Sequence, residues 1–79
     1  MELTYDPKYN IAYIRFREKY GEVEAIKLSD DFVVDIASDG AICGIELFNA
    51  NKQLKPGGKS DLVIVNKETG QTINVPLPL

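Results

Sequence analysis

The chain has 79 residues, one cysteine, no histidine and a formal net charge of −3. That length makes one domain with a thin margin of stability. The lone Cys43 excludes an intrachain disulfide. Without histidine, the chain has neither a good zinc ligand set nor an imidazole for a Ser-His-Asp or Cys-His nucleophile.

A scaffold this small, lacking disulfide and metal, rests on packing and self-association. The acidic balance argues against nucleic acid, whose binders carry a basic stripe. Met1–Pro7 has no basic n-region or apolar h-region, and no apolar run is long enough to span a membrane. Together with an unpaired cysteine in an apolar run, this gives the expectation of a soluble cytoplasmic protein without a cofactor.

Glu2–Tyr5 alternates and is rich in strand formers, and Asp6-Pro7 breaks it. Ile11–Phe16 is the second strand, with Ala12, Ile14 and Phe16 on the core face and Ile11, Tyr13 and Arg15 on the other. A helix over Lys8–Lys19, started by Asp6-Pro7, is the rival reading, and the β-branched and aromatic content favours the strand. Glu18–Gly21 makes a turn. Glu22–Leu28 is a wet strand whose charges suit a sheet edge, and Ser29–Asp31 is the next turn.

Phe32–Phe48 is the longest apolar stretch, two runs flanking Ser38-Asp39-Gly40, and Asp-Gly between alternating hydrophobics signals a hairpin. An even-length loop places Phe32, Val34, Ile36, Cys43, Ile45 and Leu47 on one face. A three-residue loop would set Asp35 beside Cys43 and Phe32 beside Glu46, and a one-residue slip flips every side chain, so the even loop is preferred. The second face then carries Val33, Asp35, Ile42, Gly44, Glu46 and Phe48.

Residues 49–60 read as an exposed loop, compatible with a short helix over Asn49–Leu54 capped by Asn49 or Asn51. Asp61–Val65 and Gln71–Val75 form a last hairpin around Asn66–Gly70. Residues 76–79, with Pro76 and Pro78, leave as an extended tail. The fold is therefore a single mainly β domain over residues 1–79, a small antiparallel meander of hairpins with room for one short helix. Patterning leaves open the strand order and whether the last hairpin joins the main sheet.

Tyr5-Asp6-Pro7, Ala12-Tyr13-Ile14-Arg15, Val34-Asp35, Asp39-Gly40 and Gly44-Ile45-Glu46, in this order, resemble the DUF2283 family of small prokaryotic proteins of unknown function. The resemblance covers about residues 1–50 and departs at Asn10-Ile11; the tail lies beyond it. It implies a small β-rich protein with no assigned activity. Some such proteins are encoded beside genes of toxin type, which implies an antitoxin-like or partner-binding role.

Asp35 and Glu46 share the second face near Gly44, and two carboxylates there could hold a cation or act as an acid–base pair, with Arg15 as an anion holder. Solvated charge on an open sheet is the plainer account, and Gly44 then relieves crowding or marks a bulge. Tyr13, Arg15, Arg17 and Lys19 could stack bases and hold phosphates, but arginines paired with Glu22 or Glu24 suit the acidic chain better. Lys52, Lys55 and Lys59 around Pro56-Gly57-Gly58 lack the spacing of a phosphate loop, and Cys43 reads as an inert core residue. Val33, Ile42 and Phe48 need covering, and Leu77 and Leu79 could dock on a partner. The function favoured is a non-enzymatic protein-interaction module forming a homodimer. The alternative is a small-ligand-binding or enzymatic protein using Arg15, Asp35 and Glu46.

Overall fold

The computed structural model describes residues 1–18 and 21–79. Lys19 and Tyr20 lie outside the described residues, and with them the centre of the expected Glu18–Gly21 turn and one member of the basic stripe. The described residues form seven strands: β1 Glu2–Asp6, β2 Ile11–Arg15, β3 Val23–Ser29, β4 Phe32–Ala37, β5 Ile42–Phe48, β6 Asp61–Val65 and β7 Thr72–Pro76. A short helix, α1 Ala50–Leu54, and a 3₁₀ turn at Pro56–Gly58 separate β5 from β6. No helix among the described residues is long and apolar enough to cross a membrane.

The first five strands make one antiparallel sheet in the order β1-β2-β5-β4-β3. The β1–β2, β3–β4 and β4–β5 hairpins form, but the expected pairing of β2 with β3 across a hairpin does not: β5 returns to lie beside β2, so β2, β5 and β4 are interior and β1 and β3 are the edges. The charged Glu24 and Lys27 of β3 suit that edge position. The strand reading of residues 11–15 holds over the helical one, and β1 pairs antiparallel with β2.

The β4–β5 connection corrects the expected loop. Gly40 N–H donates to the Ala37 carbonyl and Ala37 N–H to the Ala41 carbonyl, each at 2.9 Å, which closes a three-residue loop over Ser38–Gly40. Gly40 sits at φ +88°, a conformation that costs glycine little and other residues more. The odd loop does not flip the faces, because β5 carries a bulge. Ile36 pairs with Ile42, whereas Asp35 pairs with Gly44 and Phe32 with Leu47. The extra residue, Cys43, restores the parity that the loop upsets.

One face is therefore apolar as expected, with Val34, Cys43 and Leu47 buried on it. Phe16, just past β2, stays 43% exposed rather than joining that core. Ala12, Leu47 and Ala50 form the central cluster, with Leu3, Tyr5, Phe32, Ile45 and Leu54 packed around it. Thus α1 covers one end of the face.

A five-residue helix is far below the length that is stable alone. Its cap comes from a distant residue. Asn10 holds a left-handed φ of 56° in the β1–β2 turn, and its Oδ1 accepts from Asn51 N–H at 2.9 Å and from the Tyr5 hydroxyl at 3.2 Å. Asn10 Nδ2 donates to Asn51 Oδ1 at 2.7 Å, and Ala50 N–H donates to the Asn10 carbonyl at 3.0 Å. Asn49, expected as a cap, makes no cap bond with its side chain and instead donates to Asp31 Oδ1 at 2.8 Å.

Among the described residues, β6 and β7 pair only with each other. Leu62 faces Val75 and Ile64 faces Ile73 across this hairpin. Every residue from 61 to 76 is exposed, so the hairpin stands out from the main sheet as an arm. The radius of gyration is 14.2 Å, against about 12 Å for a compact chain of this length.

The arm's two outer edges differ. Asn66 N–H donates to the Gln71 carbonyl and Leu77 N–H to the Ser60 carbonyl, both at 2.9 Å. Hydrogen-bonded pairs alternate along an antiparallel ladder, so Leu62 and Ile64 turn their backbone groups toward β7. Asp61, Val63 and Val65 turn theirs outward. On β7 the outward positions are Thr72, Asn74 and Pro76, and proline has no N–H to offer there.

Candidate functional site

The second face of the main sheet collects the chemistry-bearing residues through strand register. Arg15, Gly44, Asp35 and Ala25 follow one another across β2, β5, β4 and β3. Tyr13, Glu46, Val33 and Lys27 make the adjacent row. Asp35 and Glu46 thus lie diagonally across the β4–β5 pair, about 7–8 Å apart by sheet geometry.

A side-chain hydrogen bond in this group involves Tyr13, which the sequence places beside Arg15 on this face and in the basic stripe. Tyr13 lays its ring across β5 and donates its hydroxyl to Asp35 Oδ2 at 2.8 Å. Gly44 makes this crossing possible, because a Cβ there would overlap the Tyr13 hydroxyl and ring. Gly44 therefore relieves crowding, by Tyr13, and also stands next to the bulge. Tyr13, Gly44 and Asp35 form a clamp that ties β2, β5 and β4 together through side chains.

Arg15 does not join it. Its guanidinium donates to Glu2 at 3.0 Å and lies 3.7 Å from Glu18. Arg17 turns to the β4–β5 loop and pairs with Asp39 at 2.8 Å. These partners replace the expected Glu22 and Glu24, because β2 lies between β1 and β5 and not beside β3. Contact with the Cys43 thiol, and then the Asp39 pair, push the Arg17 guanidinium above its already high ordinary value. Asp39 is held below the usual carboxylate range by the Ala41 backbone N–H and then by Arg17.

Two surface depressions lie away from the clamp. One is lined by Glu22, Val23, Glu24, Ile36, Ala37, Ser38 and Gly40, the other by Met1, Glu2 and Arg15–Glu18. Neither contains Asp35 or Glu46. No three His, Cys, Asp or Glu side chains converge for a metal ion among the described residues.

The expected interface residues divide. Val33 and Phe48 are half-buried on the second face. Ile42 is 46% exposed, but the bulge sets it opposite Ile36 and takes it off the face that carries Val33 and Phe48. Leu77 and Leu79 are half-buried against their own chain, where Ser60 Oγ donates to the Leu77 carbonyl at 3.0 Å and Lys55 Nζ to the Leu79 carbonyl at 3.2 Å. A contiguous uncovered apolar surface lies on the arm instead. Leu62, Ile64, Ile73 and Val75 share one face and are 44%, 49%, 49% and 38% exposed. Their alternation was visible in the sequence as a strand signal, but what covers a strand is not written in its period.

Fold and face together define a small mainly β protein: one antiparallel sheet closed by a short helix, a Tyr–Gly–Asp clamp on its open face, and a projecting hairpin. The chain belongs to DUF2283, a family of proteins of unknown function, whose family model matches residues 2–51. That span takes in β1 to β5 and the start of α1 and stops before the arm. Neither the curated proteins nor the solved structures contain a match to this chain.

Proposed function

We propose that this chain is a non-enzymatic protein-interaction module that works as a homodimer in the cytoplasm. The observation that carries the reading is the arm. A lone two-stranded hairpin is marginal in water, and it needs more strands or a packing surface to hold its shape. Here both strands are apolar, uncharged between Leu62 and Val65, and without cover from their own chain. A second protein surface is the natural completion, and for a chain of this size self-association is the economical source of one. An antitoxin-like role, implied by the family resemblance, is the form such partner binding would take. The ligand-binding alternative needs Arg15, Asp35 and Glu46 to converge, yet Arg15 is engaged with Glu2 and Glu18, and Asp35 with Tyr13.

Sedimentation equilibrium at micromolar concentration tests the dimer. The expected mass is twice that of the chain, and a clean monomer at high concentration would overturn the reading.

A further inference from the structure

We propose that β6 pairs antiparallel with β6 of a second copy of this chain about a two-fold axis at Ile64, placing Asp61 beside Lys67 of the partner subunit. The proposal rests on the homodimer reading above and says where the two copies meet.

The backbone selects the strand. At the outer edge of β6, Asp61, Val63 and Val65 present their N–H and C=O groups unpaired, with no proline and no charge between Leu62 and Val65. Natural sheets blunt such edges with charge, proline or cover. The β7 edge is blunted by Pro76, and β3 carries Glu24 and Lys27. The β6 edge is charged only at its first residue, Asp61, and has neither proline nor cover from Leu62 to Val65, so it is the edge of the arm fitted to accept another strand.

Symmetry and charge then select the register. A two-fold axis normal to the sheet keeps each residue on its own face, so the axis must pass through a residue and not between two. Centred on Val63, the pairing sets Lys59 against Lys67 of the partner subunit. Centred on Leu62 or Val65, it sets charged residues against apolar ones, with Asp61 opposite Val63 of the partner subunit or Lys67 opposite Val63 of the partner subunit. Centred on Ile64, it brings Asp61 beside Lys67 of the partner subunit, in the turn two residues past the end of β6, and the same pair recurs at the other end. Opposite charges directly across strands stabilise a ladder, and like charges destabilise it. Val63 and Val65 then exchange backbone hydrogen bonds with Val65 and Val63 of the partner subunit. The two hairpins become one continuous sheet, and on its apolar face Leu62 and Ile64 gain cross-strand neighbours.

Ile64 opposes itself in this register, at a non-hydrogen-bonded position with a Cα separation of about 4.5 Å, within disulfide reach. The experiment is mild oxidation of Ile64→Cys and Val63→Cys variants of the full chain, alongside sedimentation of wild type, Asp61→Lys, and Asp61→Lys with Lys67→Asp. Buried Cys43 serves as the internal control. The expected result is a covalent dimer from Ile64→Cys and not from Val63→Cys. Asp61→Lys should weaken association roughly tenfold, since it turns two symmetry-related attractions into repulsions, and Lys67→Asp added to it should restore association. A wild-type dimer that ignores the charge changes and does not cross-link through Ile64→Cys overturns the β6 pairing and leaves the homodimer reading standing. Cross-linking through Val63→Cys instead overturns the register. A wild-type monomer overturns both.

Discussion

Adding one methyl group at Gly44 would drive it into the ring and hydroxyl of Tyr13. Backbone cannot yield easily there, because Gly44 is buried and paired on both sides, with Arg15 and with Asp35. Gly44→Ala should therefore lose about 1–3 kcal/mol in urea unfolding. The same change made on a Tyr13→Ala background should cost much less, since the space is then vacant. Equal losses on the two backgrounds would rule out the clamp as the cause. Asp39 provides a second test at this scale. Its folded pKa is depressed by the Ala41 N–H and by Arg17, so its contribution is fully present above the unfolded carboxylate value, about 3.9, and is lost as pH falls through the lower folded value. Asp39→Asn should remove that part of the acid sensitivity, read as a flatter stability profile below about pH 4. The sequence had already placed Asp35 and Glu46 on the second face, because parity along a strand is local. It could not show Tyr13 reaching Asp35, since that contact depends on β2 lying beside β5, a pairing that no periodicity encodes.

Among the elements, α1 is the one least able to stand alone. Asn10 gives it both a left-handed turn residue and the acceptor for Asn51 N–H. Asn10→Gly keeps the turn conformation and loses the cap, whereas Asn10→Ala loses both. The expected order of stability is wild type, then Gly, then Ala, with the cap worth about 1 kcal/mol and the left-handed strain adding about 1 more. Thermal or urea unfolding of the three proteins checks the order. If Gly and Ala unfold together, the turn conformation contributes nothing measurable. Residues 49–54 could be read from the sequence as a potential helix, but the capping residue lies 41 positions away from Asn51 and so escapes any local rule. The β4–β5 hairpin is instructive in the same way. Its core face was legible, and its loop length was not. Hydrophobic alternation reports the net register, and an odd loop plus a bulge gives the same net register as an even loop.

For the whole molecule, the main sheet and the arm should behave as separable units. The family match ends at residue 51, and the central core cluster of Ala12, Leu47 and Ala50 draws on nothing in β6 or β7. A chain truncated after Gly58 should keep a cooperative unfolding transition and sediment as a monomer. Loss of the transition would mean that the arm or the tail supports the core after all. In the full-length protein, amide exchange in β2, β5 and β4 should be slowest, because those strands are paired on both sides. The arm was legible as a hairpin from its turn and its alternation. Its projection away from the sheet was not, because an apolar strand reads the same whether its own chain or another chain covers it.

Pro76 carries a consequence for stoichiometry. A hairpin with two open edges has a valence of two and can add copies at both sides, which propagates into a filament. With Pro76 on one outer edge and β6 on the other, the arm has a valence of one, and the assembly closes after a single partner. Pro76→Thr would return the missing N–H and raise that valence. The expected outcome is concentration-dependent growth past the dimer, visible as light scattering and a thioflavin signal, while Pro78→Thr, outside β7, leaves the dimer closed.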